Sequence, residues 1–256
     1  MQTNNTPHLE RPMLRTGSVA FLAGLVIIIA STLFHASSED LMDNPGVFAV
    51  YAESDTWVAA HIGQFAGVML VFAGGFVALF RLLVKSESGI SSALAWFGLV
   101  TAILVASSFA ILQAVDGIAL KIAVDTWHAI PPTPPTPSTF ADAEDDEGEK
   151  ATAFRVAEGL RWTEIGINSY NRILQGVVQI IFGVAIAWSA LLSRWIGAIG
   201  IFAGAATVIA GVGVAYVGFA PLPIVGDVST FISFAWVAIL GIFMWRKTRV
   251  KKIISR

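Results

Sequence analysis

Six stretches of this chain, 17–34, 57–83, 92–115, 173–192, 195–217 and 228–245, are almost uninterrupted apolar sequence. Each is at least as long as the roughly 17 residues a helix needs to cross a hydrocarbon core of about 30 Å. Inside lipid every backbone N–H and C=O must find a partner within the segment, so these runs are predicted to be helices. The predicted fold is all-α: a polytopic membrane bundle of six spans, with a tail over 1–16 and a single membrane domain over 17–256. The composition agrees, with 55% hydrophobic and 13% charged residues, against about 25% charged in soluble domains. The first run lies behind Arg11 and Arg15 like the core of a signal peptide. It exceeds the usual 7–15 residues of such a core and is read as a retained anchor.

The charges between the runs predict an orientation. With the amino terminus in the cytoplasm, the inner segments hold Arg11, Arg15, Arg81, Lys85, Arg194, Arg246, Lys247, Arg249, Lys251, Lys252 and Arg256, together with only two acids, Glu10 and Glu87. Basic residues gather on the cytoplasmic side of membrane proteins, so both termini are expected inside a cell membrane. The cationic segment 246–256 reads as a stop-transfer flank that can also attract anionic lipid. The bilayer is the implied partner, other membrane subunits stay open, and nothing in the pattern implies nucleic acid.

Residues 131–150, PPTPPTPSTFADAEDDEGEK, are proline-rich and then acidic, with too little apolar surface to offset the entropy of folding. A disordered outer loop is expected there. On either side, 116–128 and 151–170 continue the helical pattern, so the third and fourth helices should extend beyond the outer membrane face. Gly63-x-x-x-Gly67 and Gly200-x-x-x-Gly204 permit close helix approach. Gly67, Gly74, Ala78 recur as Gly176, Gly183, Ala187, a spacing compatible with a duplicated hairpin and a parallel repeat.

The absence of cysteine excludes disulfides, thiolate metal sites and cysteine nucleophiles. Chemistry must therefore come from the polar residues near the outer helix ends, where ionisable groups at membrane depth are costly and point to function. They are His35, His61 and Gln64, then Gln113 and Asp116, then Glu158, Arg161, Glu164, Asn168, Asn171, Arg172, Gln175 and Gln179. Steps of three and four place Glu164, Asn168, Asn171 or Arg172, Gln175 and Gln179 on one helix face. Gln113, Asp116 or Gly117, Lys121, Asp125 and His128 form a similar stripe.

Three readings of this cluster are open. Carboxylates and arginines could pair (Asp116 or Glu164 with Arg161 or Arg172), making the chain an outward-facing binding or accessory protein with a polar cavity. His35, His61, Asp116 and Glu164, with Glu39 nearby, could hold zinc or copper, or the two histidines a b-type haem. The ionisable groups could also relay protons in a small-solute or proton-coupled transporter. No phosphate-binding loop or nucleophile elbow assigns a catalytic residue. The segment 39–46 has the oxygen donors of a calcium loop without its order and reads as a helix-capping turn. Trp57, Trp127, Trp162, Tyr51 and Tyr170 are expected in an outer aromatic belt, Trp195 and Trp245 in an inner one.

Overall fold

Long apolar runs give long helices. The computed structural model describes residues 7–36, 40–131, 140–219 and 223–248, with side chains from 11, 148 and 225 onward at the starts of three helices. Among them are seven helices and no strand: α1 (Pro7–Leu33), α2 (Asn44–Ala52), α3 (Trp57–Leu83), α4 (Gly89–Ala129), α5 (Phe140–Ser189), α6 (Arg194–Val217) and α7 (Pro223–Lys247). All but α2 are long and apolar enough to cross a membrane. Ile103, Phe202, Ile209 and Phe231 project outward from them more than half exposed, as lipid-facing side chains would.

Several boundaries differ from expectation. The tail predicted over 1–16 is helical from Pro7, with Pro12 inside the second turn of α1, where a proline leaves out one hydrogen bond of the ladder. Residues 132–139 of the predicted loop lie outside the described residues, and the acidic half from Phe140 is helix, not loop. The 41 residues of α4 and 50 of α5 correspond to roughly 60 and 75 Å at 1.5 Å per residue, so both outreach a bilayer. The small helix α2 was not foreseen. The residues before it form a turn, with Asp40 Oδ1 accepting the Met42 N–H at 2.9 Å, but the expected side-chain cap is not made: Asp43 stands at the N-cap of α2 without a capping hydrogen bond.

Small residues set the packing. Gly24 and Gly67 bring α1 and α3 so close that a Cβ on either would meet the other's carbonyl oxygen at 2.7–2.8 Å, and Gly74 sits on Ala20. Gly176, Gly183, Gly197 and Gly204 do the same for α5 and α6. The recurrent spacing thus serves one kind of contact with different partners: α3 closes on α1, the span before it, and α5 on α6, the span after it. Between these pairs lies a core of Phe21, Phe76, Phe182, Leu240 and Trp236, whose indole donates to the Ile196 carbonyl at 2.8 Å. A second cluster, Val47, Phe48, Tyr51, Trp57, Leu120 and Val124, packs α2 against the ends of α3, α4 and α5.

A Cβ at Gly204 would lie 2.5 Å from the Gly176 carbonyl oxygen and 2.8 Å from the Ile180 nitrogen. Backbone cannot yield as a side chain can, so Gly204→Val should cost at least the 1–3 kcal/mol typical of overpacking, about. Gly166, which has nothing within 4 Å, is the control. Thermal unfolding in detergent should show Gly204→Val strongly destabilised and Gly166→Ala unchanged or slightly stabilised.

Candidate metal centre

The site forms where three chain segments meet. The last turn of α1 unwinds through hydrogen bonds from Phe34 N to Ser31 O and His35 N to Thr32 O. The Thr56 hydroxyl, just before α3, donates to the Phe34 carbonyl at 2.9 Å. His35 is thereby held over the start of α3, its ring 4.7 Å from that of Trp57 and 4.9 Å from that of His61.

The third contributor is a wide π turn, Val115–Leu120, within α4. Such turns interrupt the regular ladder and are frequent at functional sites. Here the turn presents both faces of Asp116 to α3: its main-chain carbonyl accepts the Trp57 indole N–H at 3.2 Å, and its Oδ2 lies 2.9 Å from His61 Nε2. Gly117 makes this possible, because a Cβ there would meet the His61 side chain at 2.6 Å. Trp57, placed in the aromatic belt by the sequence, is instead fully buried and positions both His61 and Asp116. Tyr51, expected in the same belt, is also buried.

The hydrogen-bond logic at His61 is informative. Its Nδ1 lies 2.8 Å from the Trp57 carbonyl, an acceptor only, so Nδ1 carries the hydrogen. A neutral ring then turns its Nε2 lone pair toward the Asp116 carboxylate, and two acceptors face each other at 2.9 Å. Something positive must sit between them, a proton or a metal ion. A histidine whose other nitrogen donates to a main-chain carbonyl is also the usual arrangement of a metal ligand. Asp116 is 8% exposed, and its Oδ1 has no hydrogen-bond partner among the described residues.

His35, His61 and Asp116 each offer a donor atom, all within 4.8 Å of one another. Two ligands at 2.0–2.2 Å from one ion are at most about 4.4 Å apart, so closing around a cation needs shifts of well under an ångström. Burial, with the neighbouring His61, holds His35 below the ordinary imidazole range, which favours the neutral, ligating form. The two imidazoles do not suit a shared haem. Their centroids are 4.9 Å apart with rings tilted at 52°, leaving no room for a macrocycle and two axial bonds of about 2 Å between them.

Glu164 stands elsewhere. Its Oε2 receives Arg161 Nη1 at 2.7 Å, and both side chains are buried. The same guanidinium donates to the Tyr51 hydroxyl at 2.9 Å and the Leu41 carbonyl at 3.3 Å, and lies 4.8 Å from the centre of the Phe219 ring. Of the remaining polar residues of the predicted cavity, Glu158, Asn171 and Gln179 reach other helices, whereas Arg172 and Gln175 bond within α5. Glu158 accepts from Asn44 and Arg155. Asn171 donates to Val105 O and Ser108 Oγ of α4. Gln175 donates to Asn171, Arg172 to Asn168, and Gln179 to Ser233 of α7. Gln64 is half-buried on α3, and Gln113 is buried one turn before Asp116 with an unpartnered Oε1. Glu39 and residues 249–256 lie outside the described residues.

The described residues are thus all-helical, compatible with an integral membrane protein, and carry a cluster of two histidines and one carboxylate in which His61 and Asp116 are buried and His35 half-buried. No protein-family model, curated protein or solved structure matches it.

Proposed function

We propose that this is a membrane protein that binds a divalent transition-metal ion through His35, His61 and Asp116. The observation that carries the reading is the pair of acceptors at 2.9 Å, His61 Nε2 and Asp116 Oδ2, with the third donor alongside. Two nitrogens and one oxygen suit zinc or copper(II), and the same set serves iron(II). Such a site keeps a coordination position for water or a small ligand. The basic residues flanking the apolar runs support a reading with both termini in the cytoplasm, in which the site, at the end of α1 and on α3 and α4, would face the outer side. The polar stripe of α5 supports helix association rather than a transport path, since Asn171 is engaged by α4 and Gln179 by α7, while Gln175 and Arg172 bond within α5.

The test is metal content. Full-length protein, purified in detergent, stripped with chelator and reloaded with zinc, should retain close to one equivalent by elemental analysis. The His35→Ala, His61→Ala double variant should retain none. Equal content in the two proteins would refute the assignment.

A further inference from the structure

A second feature lies at the opposite end of the bundle from α2. There the antiparallel helices α1 and α7 leave an outward-facing groove of about 660 Å³, lined by Val19, Ala23 and Val26 of α1 and by Ile242, Trp245 and Arg246 of α7. The α1 lining follows steps of three and four, and one more step of four back from Val19 reaches Arg15 on the same face. On α7, Ile242 and Arg246 share a face in the same way. The groove is therefore apolar along its length and ends at a guanidinium from each helix.

Within α1 from residue 11 and α7 from residue 228 every charged residue is basic. Arg15 donates through Nε to Thr248 Oγ1 at 3.3 Å and lies 5.9 Å from the centre of the Trp245 ring. Its described hydrogen bonds use Nε alone, and Arg246 is exposed. No Asp or Glu occurs over 11–36 or 228–256, while Arg249, Lys251 and Lys252 follow directly in the sequence. The groove also lacks what a packed helix needs. The small residues of α1, Gly17, Ala20 and Gly24, already face α3, and branched aliphatic side chains line the groove instead, whereas membrane helix seams favour small residues.

From the apolar channel, the paired guanidinium end and the absence of a small-residue seam, we infer that this groove binds an anionic phospholipid, an acyl chain lying between α1 and α7 and its phosphate between Arg15 and Arg246. Arginine suits this role because its fork of donors matches a phosphate. The site is independent of the metal cluster, and its occupant is a lipid of the surrounding leaflet.

The experiment uses delipidated full-length protein in detergent, with phosphatidylglycerol and phosphatidylcholine of identical chains as probes, read by native mass spectrometry and thermal shift. Wild type should bind phosphatidylglycerol in preference to phosphatidylcholine. Arg15→Gln with Arg246→Gln should weaken phosphatidylglycerol binding roughly thirtyfold, about fivefold per basic side chain, and leave phosphatidylcholine unchanged. Arg15→Lys with Arg246→Lys should keep most of the preference, showing that charge rather than loss of folding is read. Ala23→Phe, which fills the groove without touching the charges, should weaken both lipids. Equal binding of the two lipids by wild type, or an undiminished preference in the double glutamine variant, would overturn the inference. So would a disulfide-linked dimer from Val26→Cys at high yield in lipid, which would place a second copy in the groove.

Discussion

Asp116→Asn should abolish zinc binding while leaving the metal-free protein as stable as wild type, or slightly more so. In the neutral wild-type pair, two acceptors face each other at 2.9 Å and must share a proton. An asparagine can turn its amide N–H to His61 Nε2 and satisfy the contact without one. The same substitution replaces a carboxylate ligand with a weak amide donor and fills the lone pair a metal would use. Outer partners of metal sites are already worth about 10–100-fold in affinity, so loss of a direct ligand should exceed a hundredfold, about. In thermal unfolding, zinc at a hundred times its dissociation constant should stabilise wild type by about 2.7 kcal/mol and leave Asp116→Asn unmoved. Glu164→Gln, which alters a carboxylate engaged with Arg161, should keep near wild-type zinc affinity. If instead Glu164→Gln loses zinc and Asp116→Asn retains it, the ligand assignment is wrong.

Arg161→Ala should be among the most damaging single changes in the protein. The guanidinium is 1% exposed and Glu164 3%, and their contact at 2.7 Å is supplemented by Tyr51 and the Leu41 carbonyl. Removing the arginine strands a buried carboxylate, which costs about 3–5 kcal/mol when one partner of a buried pair is lost. Part of that loss belongs to lining contacts with Phe219 and Tyr51. The double change Arg161→Met, Glu164→Leu removes both charges at similar volume and should recover most of the stability, because the desolvation of the pair disappears with it. Unfolding free energies of wild type, Arg161→Met, Glu164→Leu and the double variant in one detergent give the coupling directly. A double variant no more stable than Arg161→Ala would mean that shape, rather than the uncompensated charge, dominates.

The six long helices were legible because lipid imposes a single solution on the backbone, and the apolar runs carry that constraint on their face. Which polar residues meet was less legible, and the π turn at 115–120 shows why. Periodicity extrapolated through it aligned Lys121, Asp125 and His128 with Gln113 and Asp116. One extra residue in a turn rotates everything after it by about 100°. Lys121 accordingly bonds Asp125 and the Ala52 carbonyl, and Asp125 and His128 face outward. His35, His61 and Asp116 lie together, whereas Glu164, which the sequence offered both as a further ligand and as the partner of an arginine, pairs with Arg161; residue type alone does not choose between those roles. Trp57 and Tyr51 carried the composition of an interface, but Tyr51 lies on α2 and packs against Trp57, and that nine-residue helix is too short to register in a search for spans.

The three donors stand on separate parts of the chain: His35 after α1, His61 on α3 and Asp116 on α4. An ion seated among them is a cross-link that closes the chain between 35 and 116, and constraints on long loops remove unfolded-state freedom at a cost that grows only slowly with length. A protein without cysteine has no covalent means of stapling this end. Under the proposed metal binding, the cluster would supply a detachable clasp in its place, fastened or released by the availability of the ion rather than by the redox state of the compartment.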